Sequence, residues 1–252
     1  MKNELIFEIL GFSLIPLAAM LAGAVAAVLF SISNKIRSLI LHLAAGVVFA
    51  VVSIELLPIV VSKNNLVGTS VGFFAGLGLM LLIKHFSHKA EEKHKAALKS
   101  NAGTVLKSLI PWALLIGIGV DIFIDGILLG VGFAAGQSEG MLLCIALSLE
   151  ILVLGIVVAT ELKNEQLKKR KIIYLVAILS SSFVVGAFVG SIMLSILSEN
   201  SITYVLAFGL SALMYLVTEE LLVEAHEHKD TPLNTAVFFI GFFIFLIVAI
   251  IH

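Results

Sequence analysis

VDIFIDGILLG, residues Val120–Gly130, sets two aspartates, Asp121 and Asp125, inside a run that is otherwise apolar. Spacing of i, i+4 puts both carboxylates on one helical face, about one turn apart. If the run crosses a bilayer, both acids sit near its midplane. Each would then cost roughly 2.5–3.5 kcal/mol on insertion scales, so such residues face a bundle interior and mark an ion pathway.

The composition supports the bilayer. Of 252 residues, 60% are hydrophobic and only 13% charged, and the mean hydropathy is +1.14. Soluble domains are about a quarter charged, so the chain reads as an integral membrane protein. Few aromatics and apolar runs without alternation point to helices and away from an outer-membrane barrel. The net charge of −1 selects no class of partner. The single cysteine, Cys144, lies in an apolar run and leaves no disulfide framework. Glu4 and Glu8 beside Lys2 do not make a basic leader, and the run from Gly11 to Phe30 is long enough to span, so no cleavable signal is expected.

A spanning helix needs about 20 apolar residues. Eight segments qualify, at about 6–31, 38–61, 66–84, 108–135, 140–161, 172–197, 202–223 and 234–251. The expected fold class is therefore all-α: one polytopic transmembrane domain over residues 1–252. Connections are short except for an expected inner loop at 85–107, whose stretch KHFSHKAEEKHKAALKSN reads as a solvated helix or loop, too polar to bury a core. With eight spans, all but two of the 16 Lys and Arg residues fall on one side; Lys2 and Lys63 are the exceptions. The positive-inside rule then puts both termini outside. The expected location is a cell membrane, multi-pass.

A short repeat accompanies this layout. The second segment ends in Glu55-Leu56-Leu57-Pro58 and the seventh in Glu220-Leu221-Leu222-Val223. The two segments run in opposite directions, which suits an inverted 3+2+3 arrangement around the fourth and fifth segments. Chance produces three matching residues in a Leu-rich chain about as readily.

Chemistry concentrates at the midplane. Asp121 and Asp125 fall halfway along the fourth segment and Glu150 halfway along the fifth, with no Lys or Arg at that depth. Their charge must be met by protons or by a bound cation, and carboxylates readily ligate divalent cations. The alternative is protonated acids hydrogen-bonded to backbone, Ser or Thr. Glu55, before Pro58, lines an outer approach or points to outside water. In TEELLVEAHEHKD, Glu220 and Glu224 share a face, as do Glu224 and His228, while Glu219 and His226 lie within two turns. His and Glu at such spacings can bind metal, although an ordinary solvated helix end has the same look. His85, His88 and His94 read as a solvated loop, with transient metal chelation the alternative, and His42 reads as a core histidine with no assigned role. Gly126-xxx-Gly130 and Gly186-xxx-Gly190 read as close helix contacts. No phosphate loop, nucleophile–histidine pair or nucleic-acid surface is present, so the sequence gives no enzyme signal.

With these residues in place, the chain resembles the ZIP (ZRT/IRT-like) family of divalent metal transporters. Eight spans, both termini outside and a His-bearing inner loop after the third span are similar to that family. Its fourth helix carries His-Asn-x-Pro-Glu-Gly. Here Asp121-Ile122-Phe123-Ile124-Asp125-Gly126 falls on it, with Asp121 for the His and Asp125-Gly126 for Glu-Gly. On the fifth helix Glu150 matches, and Ala146 stands where a His or Gln would. SIELLP is similar to the family's HLLP, with Glu55 for the His. ALMYLVTEELLVEAHEH looks most like the family in its acid-Leu-Leu-x-Glu-Ala-His run.

The resemblance implies a transporter of zinc-, iron- or manganese-class cations toward the cytoplasm, with metal between the fourth and fifth helices. Asp121, Asp125 and Glu150 would be the site, Glu55 the outer approach, and Glu220, Glu224 and His226 the inner exit. The metal would be transported substrate, with no prosthetic group. Expected partners are divalent ions and the lipid bilayer, with a homodimer as a further expectation. An all-oxygen site shifts preference toward harder ions such as Mn²⁺, Fe²⁺ or Mg²⁺. Two other readings stay open: a non-transporting metal sensor or membrane regulator, and a proton- or sodium-coupled carrier using the same acids.

Overall fold

Each apolar segment folds as a helix because, in hydrocarbon, an unpaired backbone N–H or C=O costs several kcal/mol and a helix satisfies both internally. The computed structural model describes residues 2–30, 33–100, 112–133, 136–196, 198–226 and 231–251. Helix α1 is Lys2–Leu29. Helix α2 runs Asn34–Val51, widens into a π-helical turn at Val52–Leu56 and resumes over Leu57–Ser62. Helices α3, α4, α5 and α6 are Leu66–Ser100, Trp112–Gly132, Gln137–Asn164 and Lys169–Ile196. Helix α7 runs Glu199–Tyr215, passes through a π-helical turn at Leu216–Leu221 and ends over Leu222–Ala225. Helix α8 is Pro232–Ile251. Among the described residues, eight helical stretches are long and apolar enough to cross a membrane, so the chain is a multi-pass membrane protein.

One polar stretch takes the helical of the two forms that the sequence left open. Residues 85–100, expected within an inner loop, continue α3 as helix. Ala, Glu and Lys dominate this stretch and are good helix formers, so it needs no hydrocarbon to stay helical. At 1.5 Å per residue it reaches about 20 Å past Phe86. The side chains of His88 and His94 lie outside the described residues, as do Glu227 and His228.

The helices pack in seams between partners that are not consecutive: α1 with α5, α2 with α8, α3 with α7 and α4 with α6. Helix α1 also lies along α6, so α1, α4, α5 and α6 form one group of four and α2, α3, α7 and α8 another. Small residues let the backbones meet, as lipid provides no hydrophobic drive for helix association. On the α4–α6 seam, a Cβ on Gly126 would stand 2.1 Å from the Phe183 carbonyl oxygen, and one on Gly186 would stand 2.1 Å from that of Phe123. The two glycine pairs read from the sequence thus face each other.

Exchanging α1 with α6, α2 with α7, α3 with α8 and α4 with α5 maps the four seams onto one another. The π-helical turns obey the same exchange. The Leu57 N–H reaches back to the Val52 carbonyl, and the Leu222 N–H to the Val217 carbonyl. Val52-Ser-Ile-Glu-Leu-Leu57 therefore superposes in register on Val217-Thr-Glu-Glu-Leu-Leu222. In each turn a hydroxyl donates to a carbonyl four residues earlier, Ser53 to Phe49 at 2.8 Å and Thr218 to Met214 at 2.9 Å. The short Glu-Leu-Leu repeat is thus part of a repeated backbone irregularity. In α2 the widening has a local cause, because Pro58 has no N–H to donate and its ring would crowd the Ile54 carbonyl. Helix α7 carries Val223 at that place and widens nonetheless.

Candidate metal centre

Asp121 and Asp125 project from one face of α4, and Glu150 projects from the middle of α5. The backbone seams fix those faces: α4 is held by α6 at Gly126, and α5 by α1, where a Cβ on Gly155 would stand 2.3 Å from the Met20 carbonyl oxygen. One carboxylate oxygen from each of the three acids lies within 4.8 Å of the others. All three are buried, Asp121 with 8% of its surface exposed, Asp125 with 2% and Glu150 with 1%.

Their polar partners are few. Among the described residues, Asp125 Oδ2 and both Glu150 carboxylate oxygens accept no hydrogen bond. None of the ion pairs there reaches the cluster. A buried carboxylate without a donor carries its full desolvation penalty. Three such groups side by side repel one another when ionised. A divalent cation at their centre would relieve both penalties, and oxygen-only donors suit hard cations.

A fourth acid approaches. Glu220, half-buried on the π-helical turn of α7, is close enough to act electrostatically on Asp121, Asp125 and Glu150 alike. The sequence reading gave it to the inner exit, and it falls in the last third of the spanning stretch Ser201–Ala225. Glu55, on the matching turn of α2, is likewise half-buried.

The remaining residues gather at the end that carries the basic loops. Arg37 Nη2 on α2 donates to Glu224 Oε1 on α7, and Arg37 Nη1 lies 3.9 Å from Glu161 Oε1 on α5. Beside them, Ser38 Oγ donates to the Ala225 carbonyl at 2.8 Å, and Asn234 Nδ2 to Ser38 Oγ at 3.0 Å. His226 packs edge-on against the buried ring of His42, with centroids 5.0 Å apart. Each histidine has Nδ1 within hydrogen-bond distance of a backbone carbonyl, His42 with Ser38 and His226 with Leu222. Glu219 takes a hydrogen bond from Lys84 Nζ at 2.7 Å. His85 is exposed and packs on Phe86. Cys144 is buried and unbridged.

The structure thus brings Asp121, Asp125 and Glu150 together, and sets Glu224 and His226 in a polar layer with Arg37 and His42. Sequence reasoning missed Arg37 and His42 in that layer. Arg37 entered only a charge count, although an opposite charge on the same side of the membrane was a signal for its pairing with Glu224. His42 offered only a polar ring within an apolar run.

No curated protein matches the chain. A family model described as ZIP Zinc transporter matches residues 84–249, which include α4 to α7 with the carboxylate cluster and all but the last residues of α8. With that match over most of its length, the chain belongs to the ZIP zinc transporter family.

Proposed function

We propose that the protein moves divalent metal cations across a cell membrane toward the cytoplasm, through a midplane site formed by Asp121, Asp125 and Glu150. One observation carries this reading: three buried carboxylates within 4.8 Å, two of them with oxygens that accept no hydrogen bond among the described residues. Such a group is costly unless a cation or protons occupy it. The positive-inside rule makes the basic-loop end cytoplasmic and both termini extracytoplasmic. Glu55 then lies on the outer approach, Glu220 flanks the site on its inner side, and Glu224 and His226 stand along the exit. A leaving cation competes with Arg37 for Glu224, which makes that ion pair an inner closure. Oxygen donors alone shift the preference from Zn²⁺ toward harder ions such as Mn²⁺ or Fe²⁺.

Purified protein in liposomes loaded with a metal-sensitive dye tests this. Mn²⁺ or Fe²⁺ influx at a higher rate than Zn²⁺ is expected, and Asp125→Ala with Glu150→Ala should abolish it. Uptake of no divalent cation would end the transporter reading in favour of a binding or sensing role. Uptake that survives the double substitution would remove the site assignment. Flux that needs no divalent ion would point to a proton- or sodium-coupled carrier.

A further inference from the structure

The α4–α6 seam is closed along one part of its length and open along the other. At Gly126 and Gly186 the two backbones touch, whereas a Cβ on Gly119 would meet only the tip of the Leu179 side chain, at 3.3 Å. From there toward the basic-loop end the helices part. They leave a groove of about 500 Å³ lined by Trp112 to Phe123 of α4 and Tyr174 to Ser182 of α6. Its walls are mainly aliphatic and aromatic. Ser182, at the deep end, turns its hydroxyl to the carbonyls of Gly119 and Leu179, so it adds little polarity.

The groove has the depth of one leaflet. From Trp112 to Phe123 is about 16 Å at 1.5 Å per residue, close to half of a hydrocarbon core about 30 Å thick. Trp112 and Tyr174 stand at its mouth, both mostly exposed. Trp and Tyr are the residues that favour the headgroup level. Just beyond them come Lys168, Lys169, Arg170 and Lys171, all exposed, with Glu165 the one acid in the same connection. Arg170 and Lys171 precede Tyr174 by four and three residues, so they share its face of α6. Basic clusters between spanning helices at the cytoplasmic end bind anionic headgroups. The N-terminus of α6 adds its dipole in the same sense. A second copy of the chain fits this face badly. Two copies inserted the same way and meeting here would set their basic clusters side by side, and like charges repel.

We propose that the groove binds one anionic glycerophospholipid of the basic-loop leaflet, with an acyl chain between α4 and α6 and its phosphate on Arg170 and Lys171. The acyl chain lies against Val120 and Phe123, on the helix that carries Asp121. The lipid thus completes the α4–α6 seam where the two backbones no longer meet. This binding is separate from the metal-site reading and stands or falls without it.

The chain carries a single tryptophan, Trp112, so its fluorescence reports the groove without a label. The full chain is reconstituted in phosphatidylcholine bilayers with rising fractions of dibrominated phosphatidylglycerol or, in parallel, dibrominated phosphatidylcholine, whose bromines quench tryptophan on contact. Phosphatidylglycerol should reach half-quenching at a fraction lower by at least about fivefold, the scale of one Lys or Arg beside an anionic headgroup. Raising the salt should erase most of that preference. Lys169→Gln with Arg170→Gln and Lys171→Gln should bring the two lipids level. Ile178→Phe, which fills the groove and leaves the basic cluster in place, should weaken the preference as well. The salt series uses unaltered protein, so it decides even where a variant fails to insert. Equal half-quenching fractions in wild type, or a preference indifferent to salt, would overturn the proposal. A preference that survives the triple variant would remove Arg170 and Lys171 as the headgroup site. One untouched by Ile178→Phe would reduce the binding to a surface contact and overturn the groove. Trp112 shielded from both lipids, in protein that cross-links as a dimer, would overturn it in favour of a second copy.

Discussion

At the scale of single residues, three buried carboxylates within 4.8 Å repel one another whenever all are ionised and nothing lies between them. Replacing Glu150 by Gln removes one buried charge and its repulsion of Asp121 and Asp125. Metal-free Glu150→Gln is therefore expected to melt a few degrees above wild type, on the scale of 2–4 °C per kcal/mol for a chain of this size. Wild type at a hundredfold excess of Mn²⁺ over its Kd should gain about 2.7 kcal/mol, and the variant should gain little. Thermal melts with and without Mn²⁺ decide it; equal metal-induced shifts in both would remove Glu150 from the site. Arg37 behaves oppositely. Its guanidinium is mostly buried against Glu224, so Arg37→Gln leaves a partly buried carboxylate without its cation and should cost about 2 kcal/mol. Adding Glu224→Gln should return part of that loss, and a double-mutant cycle measures the coupling. The cluster was legible in the sequence, because the depth of an acid along an apolar run can be counted. The Arg37–Glu224 pair was not, because it depends on how two helices distant in sequence are rotated about their axes.

At the scale of elements, the seams and the π-helical turns do different work. A seam holds a site-bearing helix by its backbone. Gly126→Ala drives a Cβ into the Phe183 carbonyl, which cannot retreat without moving α6. Overpacking of this kind costs about 1–3 kcal/mol, and it acts one residue from Asp125, so metal binding should weaken along with stability. Gly78→Ala is the control, as a Cβ there meets nothing within 4 Å. It should leave binding untouched and add up to about 1 kcal/mol from helix propensity. Thermal stability and Mn²⁺ affinity of both variants check the contrast. The glycine pairs announced their seam in the sequence. Half of the π pattern had a signal that the sequence reading left unused, since Pro58 has no N–H to donate within α2. Helix α7 has no proline there, and nothing in Leu216–Leu221 marks its widening except its likeness to Val52–Leu56. The length of α3 was left open for another reason: hydropathy falls at Lys84, but helix formation does not depend on hydropathy once good helix formers follow.

At the scale of the molecule, two four-helix groups meet along the faces that carry the acids. If cargo passes by movement of one group against the other, a covalent tie between them should stop it. With Cys144→Ser clearing the background, cysteines placed at Arg37 and Glu161 lie on α2 and α5, in different groups. A reducible thiol-specific cross-linker joining them is expected to abolish uptake, with recovery on reduction. The same reagent across α3 and α7, within one group, should spare it. Uptake that persists with the first tie intact would mean that the groups do not move apart. Orientation is checked separately: an impermeant amine reagent applied to whole cells should label Lys63, and the basic loops only after permeabilisation.

The pairing of the seams also bears on how the chain can be made. No helix has its closest partner next to it in sequence, so a ribosome delivering helices one at a time inserts each beside a stranger. Helix α1 waits for α5, and α2 waits longest, because α8 is the last to emerge. Until then α2 holds Arg37, His42 and Glu55 in the bilayer without the neighbour that backs it. The half-made protein is for that interval a set of unmated helices bearing buried charge, the kind of intermediate that membrane quality control detects. Loss of α8 alone would therefore leave α2 exposed at the opposite end of the sequence, and a chain truncated after Glu224 should be degraded rather than accumulate as a seven-helix protein.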